Sequence, residues 1–383
     1  MKTLIKLLMF IALSITLFSQ NIFASEKIKI GLIVPLSGEN SLIGEKIIKS
    51  IRMAINKIND ERVEIIPKDT KSNPIDALKV SKELYKDGIR IIIGPVFNES
   101  TKYLDDLKDV TFISFTNKLI GNPKNVISAG VNAISQVQTI KKFNNRNNLS
   151  KSIILIPRAQ FKKEIEEAIN KTKIKHKEVF YYDREPTKLT KQIEELTKYQ
   201  IRKNNLKFEI QRLEGLSFKD KEKTIQNLKK RDTLGNINFD SVLIADFDEN
   251  LKSVATSLLY TDVSSKRVSY ITLNQWFDES LLKDDSLHPI YFPSINKDNY
   301  ELFMNDFKNT YGLDGDQLSF LSYDLIGLIY YLSLQNNIIN LDTLFKSKNS
   351  FKGKIGVFDI KNNKINHRLS FYEINNGKLK KIF

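Results

Sequence analysis

The residues with chemistry to offer are short and polar, and they recur directly after apolar runs. Ser37 and Gly38 follow the run 28–34, Asn98 and Ser100 follow 89–93, and Thr116 and Asn117 follow 110–115. Gln160 with Phe161, Asp246 with Phe247, and Asn274 with Trp276 hold equivalent places behind 152–156, 239–244 and 268–273. Hydroxyls, amides and the neighbouring N–H groups can hold a small polar ligand, and an aromatic ring adds an apolar wall. That set suits amino-acid-like or sugar-like molecules. Ser, Thr and Asn in such places also serve as helix caps and turn formers, a role that needs no ligand.

The elements that must position these residues alternate. Continuous apolar runs rich in β-branched residues read as buried strands, and each leads into a stretch of helical period. Behind the first run, Ile43, Ile47, Ile51, Ile55 and Ile58 mark one helix face. Strand 63–67 precedes a helix whose face carries Ala77, Val80, Leu84 and Tyr85, with Asn73-Pro74 as its start signal and Asp87-Gly88 as its stop. A short helix is expected from about Ser100. A second series begins after Gly130 and runs through helix 134–143, strand 152–156, helix 161–169 and strand 179–182. It resumes with strand 239–244, a helix through Val254 and Leu258, and strand 268–273. The fold class is therefore α/β with largely parallel sheets, and two series imply two lobes. Ligands of open parallel sheets sit at the carboxyl ends of the strands, so two facing lobes would form a cleft there.

Two segments break the alternation. Residues 187–232 carry Leu189, Ile193, Leu196 and Tyr199, then Ile225 and Leu228, at helical spacing on a strongly charged background. This predicts a two-helix hairpin inserted in lobe 2, too polar for core, serving as a solvated decoration or a docking surface. Beyond Phe351, Gly353, Gly356, Asn362-Asn363 and Asn376-Gly377 punctuate short strands at 355–360 and 369–374, as in hairpins.

Composition excludes several classes. The chain has 383 residues and no cysteine, which removes disulfides, thiolate catalysis, Cys-ligated metals and an N-terminal lipid attachment site. Lys2, Lys6, the apolar run 7–18 and Ile22-Phe23-Ala24 read as a signal peptide over 1–24, implying export to the periplasm. An uncleaved anchor is the other reading of the same run. No later run approaches the roughly 20 apolar residues of a membrane span. The formal charge of +15 is spread along the chain without a dense basic block, so nucleic-acid binding is not expected. No nucleotide-binding glycine loop, Walker loop, HExxH or nucleophile elbow occurs, and His176, His288 and His367 are scattered. No catalytic residue, metal or cofactor is expected.

The order of motifs resembles the type I periplasmic binding-protein superfamily, in particular its leucine-binding branch. The carriers are KIGLIVPLSG (29–38), IIIGPVFNES (91–100), ISFTN (113–117), SYDLIGLIYYL (322–332) and FKGKIGVFDIKNNKI (351–365). A narrower resemblance is to the penicillin-binding-protein activators, the LppC-like family. It rests on Asp232-Thr233-Leu234-Gly235, on 239–243 and on LLYTDVSSKRVSYITLNQWFDE (258–279).

The resemblance implies two Rossmann-like lobes joined by three crossovers near Asn132, His288 and Ser350. Lobe 1 would hold 27–131 and 289–349, and lobe 2 would hold 132–288 and 350–383. It also implies that Ser100 and Thr116 hold a ligand carboxylate, with Asp246 or Asp278 facing an ammonium. The activator branch implies a non-catalytic periplasmic protein that stimulates a peptidoglycan synthase by contact. The alternative is a solute receptor for branched-chain or related amino acids that feeds an ABC transporter.

Overall fold

A computed structural model describes residues 27–274, 279–284, 287–335 and 345–383. The expected signal segment, Trp276 and Asp278 lie outside them. Strand β1 (Ile28–Val34) is buried at every position except Lys29. A strand apolar on both faces needs cover on each, as a parallel sheet between helix layers provides. β1 pairs in parallel with β2 (Val63–Asp69) and β3 (Ile91–Ile93). The sheet continues through β4 (Thr111–Ser114) to β5 (Val126–Ser128), a strand not expected from the sequence, in the order β2-β1-β3-β4-β5.

Helix α1 (Ser41–Ile58) buries Ile47, Ile51 and Ala54, one stripe at helical spacing, against this sheet. Helix α2 (Pro74–Lys86) starts where the sequence signals it. Asn73 Oδ1 accepts from Ile75 N at 2.8 Å and Asp76 N at 3.4 Å, and Pro74 occupies a first-turn position that needs no donor. Instead of a helix from Ser100, two 3-10 turns, Asn98–Thr101 and Leu104–Asp106, lead to β4.

Helix α3 (Ala133–Arg146) opens the second lobe. Its sheet contains β6 (Ser152–Pro157), β7 (Glu178–Tyr182), β8 (Ser241–Ile244), β9 (Ser269–Thr272) and β10 (Ile290–Ser294) in parallel. The antiparallel strands β14 (Ser370–Asn375) and β15 (Lys378–Lys381) extend it, in the order β15-β14-β10-β9-β8-β6-β7. Helix α4 (Lys162–Thr172) follows β6, and α8 (Asp248–Tyr260) follows β8. Apolar clusters cover both sheet faces: Val242, Val254, Leu258 and Phe292 on one, Val137, Ile154, Ile165 and Phe371 on the other.

Two boundaries differ from the sequence reading. β10 pairs with β9 and belongs to the second sheet, so the return to the first lobe comes after Ser294 and not at 288/289. Helices α9 (Lys297–Tyr311) and α10 (Gln317–Gln335) pack into the first core. So do Phe358, Ile360 and Ile365 from a separate antiparallel sheet of β11 (Asn349–Lys352), β12 (Val357–Lys361) and β13 (Lys364–Arg368), although 350–383 was assigned to lobe 2.

The insert differs as well: three helices stand over 187–232 where two were expected. The first, α5 (Pro186–Thr197), buries Leu189 and Ile193 in the second core and is the lobe's own crossover helix. Only α6 (Tyr199–Glu214) and α7 (Lys221–Lys229) form the added hairpin. The late turns follow the expected chemistry. Asn362 and Asn363 (φ 51° and 56°) and Asn376 and Gly377 (φ 50° and 68°) form two-residue turns with both central residues at positive φ.

Candidate functional site

On the first lobe, the strand-end residues divide. The Ser37 hydroxyl donates to Asp69 Oδ2 at 2.6 Å, while Leu36 N and Lys71 N donate to Oδ1 at 2.8 Å each. Burial pushes the Asp69 carboxyl up, but these donors outweigh it and hold the group below its ordinary value. Asp69 ends β2, the outer strand, so Ser37 is drawn away from β3 and β4 and locks a turn. Gly38 sits in that turn at φ 77°, a conformation that glycine adopts without strain.

Asn98 and Thr116 meet, and both Ser100 and Thr116 are buried. Thr116 Oγ1 lies 3.5 Å from Asn98 Oδ1 and accepts from Lys118 N at 3.1 Å. Asn117 is exposed beside them.

The second lobe inverts the expected charge. Asp246 is completely buried, and its carboxylate is engaged from inside the lobe. Tyr182 Oη donates at 2.7 Å, Arg184 Nη2 at 2.6 Å, Arg184 Nε at 3.1 Å and Phe247 N at 2.9 Å. Burial, then the adjacent carboxylate, pushes the Tyr182 phenol well above its ordinary value. The group presented outward is the partly exposed Arg184 guanidinium, 5.5 Å above the Phe161 ring, which itself meets Phe247 edge-on at 5.5 Å. A cation set over an aromatic ring is chemistry for an anionic or π-rich group, and Asp246 is not open to an ammonium. Gln160 is exposed and Asn274 is buried.

A residue that the sequence did not single out spans the lobes. Glu164, in the first turn of α4, accepts from Leu119 N at 3.3 Å through each oxygen and from Ile120 N at 3.1 Å. The chain's own carboxylate therefore engages backbone N–H groups of the loop after β4. At the hinge, Asn132 Oδ1 caps α3 through Ser135 N at 2.9 Å, and its Nδ2 donates to Ile365 O at 3.0 Å. His367 lies beside it, buried, with Nε2 2.8 Å from Ala129 O. Burial pulls its pKa down to about 4, so the ring is neutral near pH 7 and its bond to a carbonyl makes Nε2 the protonated nitrogen.

The α6–α7 hairpin has a built base and exposes apolar side chains on its outer side. Arg202 is buried at 4 % exposure. It donates from Nε to Thr197 O at 2.9 Å, from Nη1 to Thr233 Oγ1 at 2.9 Å and from Nη2 to Thr261 O, with Asp262 at 3.8 Å. These partners lie in α5, in the strap behind α7 and after α8, so one side chain ties the hairpin to the lobe. On the outer side Ile201 and Phe208 are 58 % and 65 % exposed, and two turns of helix set them on one face. Leu216 and Phe218 extend the apolar surface through the connecting turn.

Among the described residues, no group of three His, Asp or Glu side chains is arranged to hold a metal, and no helix is long and apolar enough to cross a membrane.

A periplasmic binding protein family model matches residues 27–171. Among curated proteins none matches this sequence. A putative branched-chain amino acid ABC transporter structure from Rhodospirillum rubrum is 11 % identical, with a TM-score of 0.68 over 93 % of this chain and 100 % of that one. The C-domain of LpoA from Haemophilus influenzae, described as a regulator of PBP1A, is 13 % identical, with a TM-score of 0.63 over 93 % and 100 %. A Desulfitobacterium hafniense ABC transporter substrate-binding protein in complex with Leu is 11 % identical, with a TM-score of 0.56 over the same shares. Such likeness is a likeness of fold: the chain has the two-lobed α/β fold of type I periplasmic binding proteins.

Proposed function

We propose that this protein is a non-catalytic, periplasmic binding-protein-like regulator that acts by touching a peptidoglycan synthase, with the α6–α7 hairpin as the contact. The observation that carries this reading is the hairpin itself. A buried arginine is costly unless it is well partnered, and Arg202 uses all three of its nitrogens to hold in place a surface that exposes Ile201 and Phe208. Exposed Ile201, Phe208, Leu216 and Phe218 along α6 and its following turn are side chains of the kind that anchor protein interfaces. The basic residues of 199–232 outnumber the acidic ones two to one, so the partner's face is expected to be acidic. The fold is shared with both a synthase regulator and amino-acid binders, and the inward pairing of Asp246 favours the former.

The test is a pull-down from envelope extracts with the mature chain as bait, read for a peptidoglycan glycosyltransferase/transpeptidase. Its capture supports the reading, and its absence from every eluate overturns it. The alternative, a solute receptor for branched-chain or related amino acids serving an ABC transporter, draws support from the Asn98–Thr116 pair and the burial of Ser100 and Thr116. It predicts stabilisation by about 2.7 kcal/mol at a ligand concentration 100 times Kd. Melting curves that stay flat across leucine, isoleucine, valine and related acids would remove it.

A further inference from the structure

Between α3 and β13 lies a cavity of about 740 Å³, within the size range of small-molecule sites. One wall is the polar face of α3, where Gln138, Lys142, Asn145 and Arg146 recur at helical spacing; the other is β13, with Asn366 and Arg368 two residues apart on one strand face. The charge is one-sided. Arg368 is neutralised by Asp359, at 2.6 Å from both Nε and Nη2. Lys142 and Arg146 have no carboxylate within ion-pair distance among the described residues. Both instead stack on a single ring, Phe383, at 4.1 and 4.4 Å from its centroid. An aromatic platform fixes where the two cations stand without cancelling their charge. Burial, then the proximity of Arg146, pulls the Lys142 ammonium below its ordinary value.

We propose that this cavity is a binding site for a compact polyanion, a small molecule carrying two or more carboxylate or phosphate groups, held by Lys142 and Arg146 with amide contacts from Gln138, Asn145 and Asn366. The two walls belong to different cores. α3 packs with Ile154 and Phe371 in the second lobe, while β13 packs through Ile365 in the first. An anion bound here bridges the lobes and favours one angle between them. This site depends on neither the cleft residues nor the α6–α7 hairpin.

The test is isothermal titration of the mature chain at about 150 mM salt, where diffuse attraction is screened beyond roughly 8 Å. Inorganic pyrophosphate and citrate are the probes. The variants are Lys142→Met, Arg146→Met, their combination, and Lys219→Met/Lys223→Met on the hairpin as a charge control. Saturable binding of either probe, weakened about tenfold or more by the double variant and unchanged in the control, supports the site. Pyrophosphate alone would assign phosphate groups, and citrate alone a polycarboxylate. If the double variant does not fold, each single variant must weaken binding severalfold. No heat from either probe, or equal affinity in the wild type, the control and the cavity variants, overturns the proposal.

Discussion

Replacing Arg202 by methionine keeps the straight-chain volume and removes the guanidinium. Three acceptors, Thr197 O, Thr233 Oγ1 and Thr261 O, then face a site that water reaches poorly, because Arg202 is only 4 % exposed. A buried acceptor left unmade costs about 1–3 kcal/mol, and relief from desolvating the guanidinium offsets part of the sum. Burial pulls the Arg202 guanidinium down from its ordinary value despite Asp262, so that relief is real. The net expectation is a loss of about 3 kcal/mol, in line with breaking a buried ionic group from one side. The loss falls first on the hairpin, because the arginine is its tie to the lobe. At about 1.4 kcal/mol per factor of ten, local opening rises roughly 100-fold. Limited trypsin digestion under conditions of fast reclosing reads this as the cleavage rate at Lys203 and Lys207, with urea denaturation for the global term. Cleavage within fivefold of wild type, with an unchanged midpoint, would refute the mooring argument.

Further outcomes follow from other contacts. Glu164→Ala removes the three bonds to Leu119 N and Ile120 N; for a partly exposed carboxylate this is worth about 1–2 kcal/mol, so exchange of those two amides should quicken about 5- to 30-fold, and unchanged protection would show that the bridge carries no weight. Gly353→Ala would drive a methyl into Asp324 Oδ2 and the Phe358 ring, so overpacking should cost about 1–3 kcal/mol and lower Tm; an unchanged Tm speaks against that packing. Two buried groups titrate with opposite signs. Burial lowers His367 to about 4, so the unfolded chain takes up its proton first; this contribution is complete above about pH 6.5 and is lost as pH falls towards 4. Burial raises Asp324 to about 6 against the donors Lys354 N and Ile355 N, so its contribution is complete below about pH 3.8 and is lost as pH rises through 6. The two slopes oppose each other in the wild type. In Asp324→Asn the histidine slope stands alone, and denaturant unfolding should show stability rising by up to about 3 kcal/mol from pH 4 to 6.5; a flat profile would contradict the buried, neutral His367.

The frame of the fold was legible because its signals are local. The run at β1 is apolar on both faces, and Asn73-Pro74 and Asn376-Gly377 state their own caps and turns. β10 was not legible: Pro293 argues against a central strand, and the strand tolerates it because its pairing with β9 involves only Ile290 and Tyr291. The first helix of the insert showed a correct stripe, yet Leu189 and Ile193 cannot announce whether they meet a lobe or a partner. The site was legible only as far as strand ends predict it. Asn98 and Thr116 meet, but Ser37 turns to Asp69 because an outer-strand carboxylate accepts its hydrogen bond. Asp246 turns inward because Arg184 and Tyr182 reach it from the end of β7, across β6. Glu164 gave no signal at all, since its partners are backbone groups more than forty residues away on the other lobe.

The central claim is that the outer side of α6 and the turn after it meet a protein. It is tested most directly by the affinity of the mature chain for the purified peptidoglycan synthase of the same cell, measured for wild type and for Ile201→Ser/Phe208→Ser. These side chains are exposed and hold no core position, so the variant should fold and melt as wild type does. The account predicts binding weakened at least tenfold, about 1.4 kcal/mol or more, as expected for central apolar anchors. Equal affinity for wild type and variant would contradict it.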